Sequence, residues 1–209
     1  MIHDASQIIR QEHAAVAAVL RSLLLLLGQG PGDEPARFFD VARAMLFYID
    51  EFPERLHHPK ESDLLFPMLA RADAALLPVI ERLDGDHREG QGQVRELQHL
   101  LLAWELLGDS RRESFTQAAS RYVAFYLEHM RIEEAEVLPA AEQVLGADDW
   151  AVLDKAFRID RDPLADGSRD SRYDRLFTRI VLTAPAPIGV GAEFARHGAA
   201  RESAGRHAA

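Results

Sequence analysis

The sequence predicts an all-α protein: an up-down-up-down antiparallel four-helix bundle with a short C-terminal helical extension. Three observations predict it. Apolar residues recur at alternating steps of three and four over about the first 145 residues, as in helices with one buried face. No segment shows sustained alternation with the period of a strand. Short polar breaks separate the helical stretches, which makes consecutive helices antiparallel neighbours.

The first stripe runs Ile9, His13, Val16, Leu20, Leu23, Leu27 and stops at the breaker cluster Gly28-Gln29-Gly30-Pro31-Gly32. The second begins near Pro35 and carries Phe38, Ala42, Met45, Ile49, Leu56/His57, Glu61, Leu65 and Met68. Pro53 falls inside it and is expected to kink the helix, because its nitrogen cannot donate to the carbonyl four residues back. The third reads Leu76, Ile80, Leu83, His87, Gln91, Val94, Leu97, Leu101, Trp104 and ends at Gly108. The fourth reads Phe115, Ala119, Tyr122, Tyr126, His129, Glu133, Val137, Ala140, Val144, closed by Gly146. Residues 1–146 are therefore the bundle. Residues 147–183 carry two short amphipathic faces, Trp150/Leu153/Phe157 and Leu176/Phe177/Ile180/Val181, expected to cap one end. Residues 184–209 have Pro, Gly and Ala without a period and are expected to form a flexible tail.

Composition narrows the function. The chain has 209 residues, enough for one domain with an appendage. Its 34 acidic against 24 basic residues give a net charge of −10 with no basic block, so a nucleic-acid partner is not expected. The absence of cysteine excludes disulfides, iron–sulfur clusters, thiolate zinc sites and thiol nucleophiles. The longest apolar run, Ala14–Leu27, is broken by Arg21 and Ser22 and falls short of the roughly 20 residues of a membrane span. The first residues lack the basic region of a signal peptide, so a cytoplasmic location and no membrane partner are expected. Nothing in the sequence fixes the oligomeric state.

Each stripe carries a histidine where an aliphatic residue is expected: His13, His57, His87 and His129. Two are followed four residues later by a glutamate, His57-x-x-x-Glu61 and His129-x-x-x-Glu133. Four steps of a helix leave two side chains on one face, one turn apart, so imidazole and carboxylate reach one small volume. Counting from the shared loops at 1.5 Å per residue places all four histidines within a few turns of one level. Buried polar residues are common singly, but two inward carboxylates among four imidazoles are costly without a cation. This donor set suits iron, manganese or zinc, and six ligands exceed what one zinc ion uses. The order His-then-Glu at spacing four also differs from the ferritin-like Glu-x-x-His pattern.

The lone His13, the phrase His57-His58-Pro59-Lys60-Glu61 followed by Leu65-Phe66-Pro67, the pair Asp86-His87, and His129-x-x-x-Glu133-Glu134 followed by Leu138-Pro139 resemble the hemerythrin-like (HHE cation-binding) family. The run Pro185-Ala186-Pro187-Ile188-Gly189 is similar to the end of its bacterial members. The resemblance implies a four-helix bundle with two oxo- or hydroxo-bridged iron ions. It makes His13, His57, Glu61, His87, His129 and Glu133 the metal ligands, with the two glutamates bridging. It departs at Gln91, where oxygen-carrying members have a second histidine four residues after the one on helix 3. That leaves one iron position open and favours redox turnover or sensing over reversible oxygen carriage. Tyr126, one turn before His129, is a candidate for the gap as well as an ordinary core tyrosine. His58 and Glu134 point about 100° away from their neighbours and are read as supporting residues or solvated surface. His99, His3, His197 and His207 have no ligand-spaced partner.

The expected activity is binding or reduction of a small oxidant, O2, NO or H2O2, including a catalase-like version. The alternative is an iron- or oxygen-responsive regulatory module without turnover. A purely structural bundle, indifferent to chelators, is the third reading.

Overall fold

A computed structural model describes residues 3–166 and 173–184; the expected tail from residue 185 onward, with His197 and His207, lies outside the described residues. The described residues form helices and connecting turns, with no strand among them. In chain order these are α1 (Asp4–Gln29), α2 (Pro35–Ile49), a π-helical stretch Asp50–His57, α3 (His58–Lys60), a second π-helical stretch Glu61–Leu65, and α4 (Phe66–Ala72). They continue with α5 (Leu77–Leu107), α6 (Arg112–Ile132), a third π-helical stretch Glu133–Val137, α7 (Leu138–Val144), α8 (Ala147–Phe157), α9 (Pro163–Asp166) and α10 (Asp174–Thr183). Helix α5 packs on α2 and α6, and α1 packs on α2 and α6.

The turns follow from their residues. Gly30 (φ 72°) and Gly108 (φ 84°) adopt the left-handed conformation that costs a side-chain-bearing residue energy, and their N–H groups close α1 and α5 on Leu26 O and Trp104 O. Pro35 and Pro78 sit in the first turns of α2 and α5, where a missing N–H leaves no bond unmade.

Pro53 does not break the second column of helix. The backbone around it widens into the π-helical stretch, the local irregularity by which the helix accommodates the proline. The same device recurs at Glu61–Leu65 and Glu133–Val137, each followed within two residues by proline, Pro67 and Pro139. A proline cannot donate to the carbonyl four residues back, which removes one bond opposing the wide turn.

The core is divided into two apolar clusters. One is built from Val16–Leu27 of α1, Phe38–Phe52, Val94–Trp104 and Phe115–Met130. The other gathers Ala5, Ile8 and Ile9 with Leu65–Leu69, Ile80, Leu83, Ile132–Leu145 and Trp150–Phe157. His13 lies between Ile9 and Val16, His57 and Glu61 between Phe52 and Leu65, and His87 between Leu83 and Val94. The polar level deduced from loop counting is the layer separating the clusters. By length and apolar content α1 on its own passes as a membrane span, longer than the Ala14–Leu27 run suggests. Here Val19, Leu20, Leu23 and Leu26 are wholly buried against neighbouring helices.

The C-terminal extension does not act as one cap. Trp150, Leu153 and Phe157 of α8 join the cluster at the start of α1, whereas α10 lies on α2 with Ile180 buried in the other cluster.

Candidate metal centre

All six residues singled out in the helical stripes are buried and meet in the polar layer. His13 comes from α1, His87 from α5 and His129 from α6; His57, Glu61 and Glu133 sit at edges of the π-helical stretches. Glu133 places Oε2 at 3.3 Å from His13 Nε2 and Oε1 at 3.1 Å from His129 Nε2. Glu61 places Oε1 at 3.2 Å from His57 Nε2 and Oε2 at 3.5 Å from His87 Nε2. Each carboxylate therefore spans between a histidine of the His13/His57 side and one of the His87/His129 side.

The four imidazoles present Nε2 inward, and the other ring nitrogen of each is held from behind. Nδ1 of His13 is 3.1 Å from Glu134 Oε1, that of His57 is 2.7 Å from Glu12 Oε2, and that of His87 is 2.9 Å from Ser62 Oγ. His129 Nδ1 lies 3.4 Å from Asp86 Oδ2. Such partners fix ring orientation and tautomer in metal sites. Glu134 thus supports His13 and is half-exposed, as expected of a residue on the flank.

The inward atoms test whether a cation fits. His57 Nε2, Glu61 Oε2 and both Glu133 oxygens are buried and form no hydrogen bond, although they converge to within ion-pair distance. Buried carboxylate oxygens left without donors are strongly unfavourable, and a divalent cation satisfies them together. Donor atoms within 4.8 Å of one another group as His13/His57/Glu61, as Glu61/His87/Glu133, and as His58/His87/His129. Nitrogen and oxygen donors without sulfur suit iron.

Electrostatics shows how the protein balances these carboxylates with protons. Burial opposes the His57 cation, but Glu61 and Glu12 outweigh it and hold the imidazole well above its ordinary value. Burial likewise opposes His129, and Glu133 and Glu61 lift it to about 9. His13 is raised by Glu133 and Glu134 against burial. Burial pushes Glu133 up, yet His129 first, then His13 and His87, bring it well below the usual carboxylate range. Metal binding here must therefore displace protons from imidazoles.

The structure decides between the alternatives left open at His58 and Tyr126. His58 is buried at 5% exposure and joins His87 and His129; it stacks on His87 with ring centroids 3.9 Å apart. His58 directly follows the π-helical stretch, whereas Gln91 is exposed. Tyr126 does not point to an empty place. Its hydroxyl lies 2.5 Å from His58 Nε2, and burial, with Glu54 next, holds the phenol well above its ordinary value, so it donates to that ring. Exposed His99 lies outside the centre, and His3 stacks on Trp150.

A family model of the hemerythrin HHE cation-binding domain matches residues 4–141. The chain belongs to the hemerythrin family. A search of curated proteins finds no match. The hemerythrin match covers all six of these residues and ends before α8, so the chain is a metal-binding helical domain followed by helices outside the match.

Three further buried residues escaped the periodicity reading. Glu12 bonds His57; Glu54 accepts from Tyr122 at 3.1 Å and stands 3.2 Å from His58 Nδ1; Asp162 accepts from the Tyr48 hydroxyl. Burial raises Glu54 to about 7, partly offset by Tyr122, and raises Asp162 to about 6, partly offset by Tyr48. Only Glu54 left a local signal, the spacing Glu54-x-x-x-His58, which runs in the reverse order to His57-x-x-x-Glu61.

Proposed function

We propose that this hemerythrin domain holds two iron ions joined by an oxo or hydroxo bridge and binds or reduces a small oxidant, O2, NO or H2O2. The reading takes α1, the α2–α4 column, α5 and the α6–α7 column as the four antiparallel members of an up-down-up-down bundle. His13 and His57 would hold one ion, and His87, His129 and His58 the other. Glu61 and Glu133 would bridge them. The observation that carries this is the position of the two glutamates, each reaching histidines on both sides while keeping buried oxygens without hydrogen bonds.

When bound, an iron pair supplies one- and two-electron redox chemistry at an exchangeable coordination position. The chain's own residues do the rest. Glu12, Glu134, Ser62 and Asp86 orient four imidazoles, and Tyr126 holds His58 through Nε2, which leaves Nδ1 without a hydrogen bond beside Glu54. The two apolar clusters exclude bulk water from above and below. Glu54, poised near neutrality, holds a proton beside His58.

The test is to add ferrous iron anaerobically, then air, NO or peroxide, following the optical spectrum and the rate of peroxide loss. Charge-transfer bands that change with each oxidant, with peroxide consumed, support the oxidoreductase reading. Spectral change without consumption points to the regulatory module. No spectral response to any of the three overturns both.

A further inference from the structure

Beside the His13–His57 side of the centre lies a cavity of about 10 Å³. That is about the space one water-sized molecule occupies. His13 and His57 line it with the apolar Val16, Phe52, Pro53 and Leu56, and Glu12 and Tyr126 add two polar side chains to the lining. Asp160 and Asp162 complete the lining, and of all its residues Asp160 alone is exposed. The route from solvent to these two histidines therefore passes the segment linking α8 to α9, which lies beyond the region matched to the family.

That segment is tied down from several directions. Lys60 Nζ donates to Ile159 O at 2.7 Å and to Asp160 O at 3.3 Å, and its ammonium sits 5.6 Å from the centre of the Phe157 ring. Asp162 N–H donates to Glu12 Oε1 at 3.0 Å, and its carboxylate accepts from Leu164 N–H and from Tyr48. Arg161 donates to Gln11 Oε1 at 2.8 Å. Between these anchors Asp160 is held at φ 48°, the only side-chain-bearing residue in the left-handed region among the described residues. Lys60 itself sits between His58 and Glu61, so the latch joins the strap to the stretch of helix that carries His57, His58 and Glu61.

We propose that the strap Ile159–Asp162, latched by Lys60, is the specificity element for the His13–His57 side: it admits neutral molecules of about diatomic size and excludes larger ones, chelators among them. The proposal rests on the metal-centre reading above. Lys60 is a positioning residue, acting through the backbone carbonyls it holds.

The test uses the full chain with Lys60→Met, which keeps the stem over Phe157 and removes the donors, and Lys60→Arg, which keeps donors. In the metal-free protein, hydrogen exchange at the Asp162 amide is expected to accelerate about tenfold or more in K60M and to stay near wild type in K60R. In the iron-bound protein, extraction by a bulky chelator such as bathophenanthroline disulfonate is expected to accelerate about tenfold in K60M. NO association should stay within about twofold, and K60R should restore the slow extraction. Unchanged exchange and extraction in K60M would overturn the proposal. So would an equal acceleration of NO binding and extraction, because that reports general loosening. If neither wild type nor variants hold iron, the metal reading fails and the gating role with it, while the exchange data still decide whether Lys60 latches the strap.

Discussion

His57 and His58 are consecutive in the chain yet belong to different clusters: His57 gathers with His13 and Glu61, and His58 with His87 and His129. In a helix neighbours diverge by about 100°, so consecutive side chains face different partners. The π-helical stretch ending at His57 keeps both below 10% exposure. His58→Ala is therefore expected to lower bound iron from two towards one per chain while leaving the helical content unchanged. Metal analysis together with far-ultraviolet circular dichroism checks it, and two tightly held irons in the variant would count against His58 as a ligand.

Glu133 is the most shared group of the layer, lying within 3.6 Å of His13, His87 and His129. Glu133→Ala removes the buried charge that holds His129 at about 9, so this imidazole should titrate at least one unit lower by NMR. The same variant should lose most bound iron. A His129 titration unchanged by the substitution would contradict the geometry.

The pH dependence has opposite signs with and without metal. Without metal, the His129 value is raised above that of an unfolded histidine, so its contribution to stability is fully present below about 6.5 and is lost as pH rises through about 9. Glu133 is depressed instead, so its contribution is present above the ordinary carboxylate range and is lost only in strong acid. Iron requires neutral imidazoles, so its affinity should climb with pH up to about 9, about tenfold per pH unit for each proton displaced. Calorimetric titration at pH 6, 7 and 8 reads this slope directly; a flat profile would mean that no imidazole is deprotonated.

Gly90 and Gly92 lie two residues apart on α5 and should respond oppositely to alanine. A Cβ at Gly90 would stand 3.0 Å from Glu54 Oε1, whose carboxylate is held by Tyr122 and faces His58, so it cannot move aside freely. Overpacking of about 1–3 kcal/mol outweighs the helix-propensity gain of about 1 kcal/mol, and Gly90→Ala is expected to destabilise. At exposed Gly92 nothing lies within 4 Å of the new methyl group, and Gly92→Ala should stabilise by about 0.5–1 kcal/mol. Urea denaturation of the two variants compares them.

Much of this architecture was written in the apolar period. Stripes such as Val16-Leu20-Leu23-Leu27 are legible because every third or fourth residue must face the core, and His13 or Glu133 stands out because it interrupts such a stripe. His58 was not legible, because the three-and-four period presumes α-helical winding and only Pro53 hints that the winding widens there. Glu12 and Asp162 were hidden for a different reason. Their burial depends on each other across 150 residues, Asp162 N–H reaching Glu12 Oε1, and no local pattern records such a pairing. The docking of α10 on α2, where Tyr173 donates to Glu51 at 2.7 Å, is long-range in the same way.

We propose that the polar layer between the two apolar clusters is built for two metal ions. The most direct measurement is iron per chain after anaerobic addition of ferrous iron and removal of the excess, with thermal unfolding followed separately in free ferrous iron and after chelation. The account predicts two irons per chain. With free iron about a thousandfold above its dissociation constant, binding adds about 4 kcal/mol of stability, a rise of roughly 8–16 °C in Tm for a chain of this size. No bound iron and a Tm indifferent to chelator would contradict it and leave the layer a set of proton-bridged histidines and glutamates.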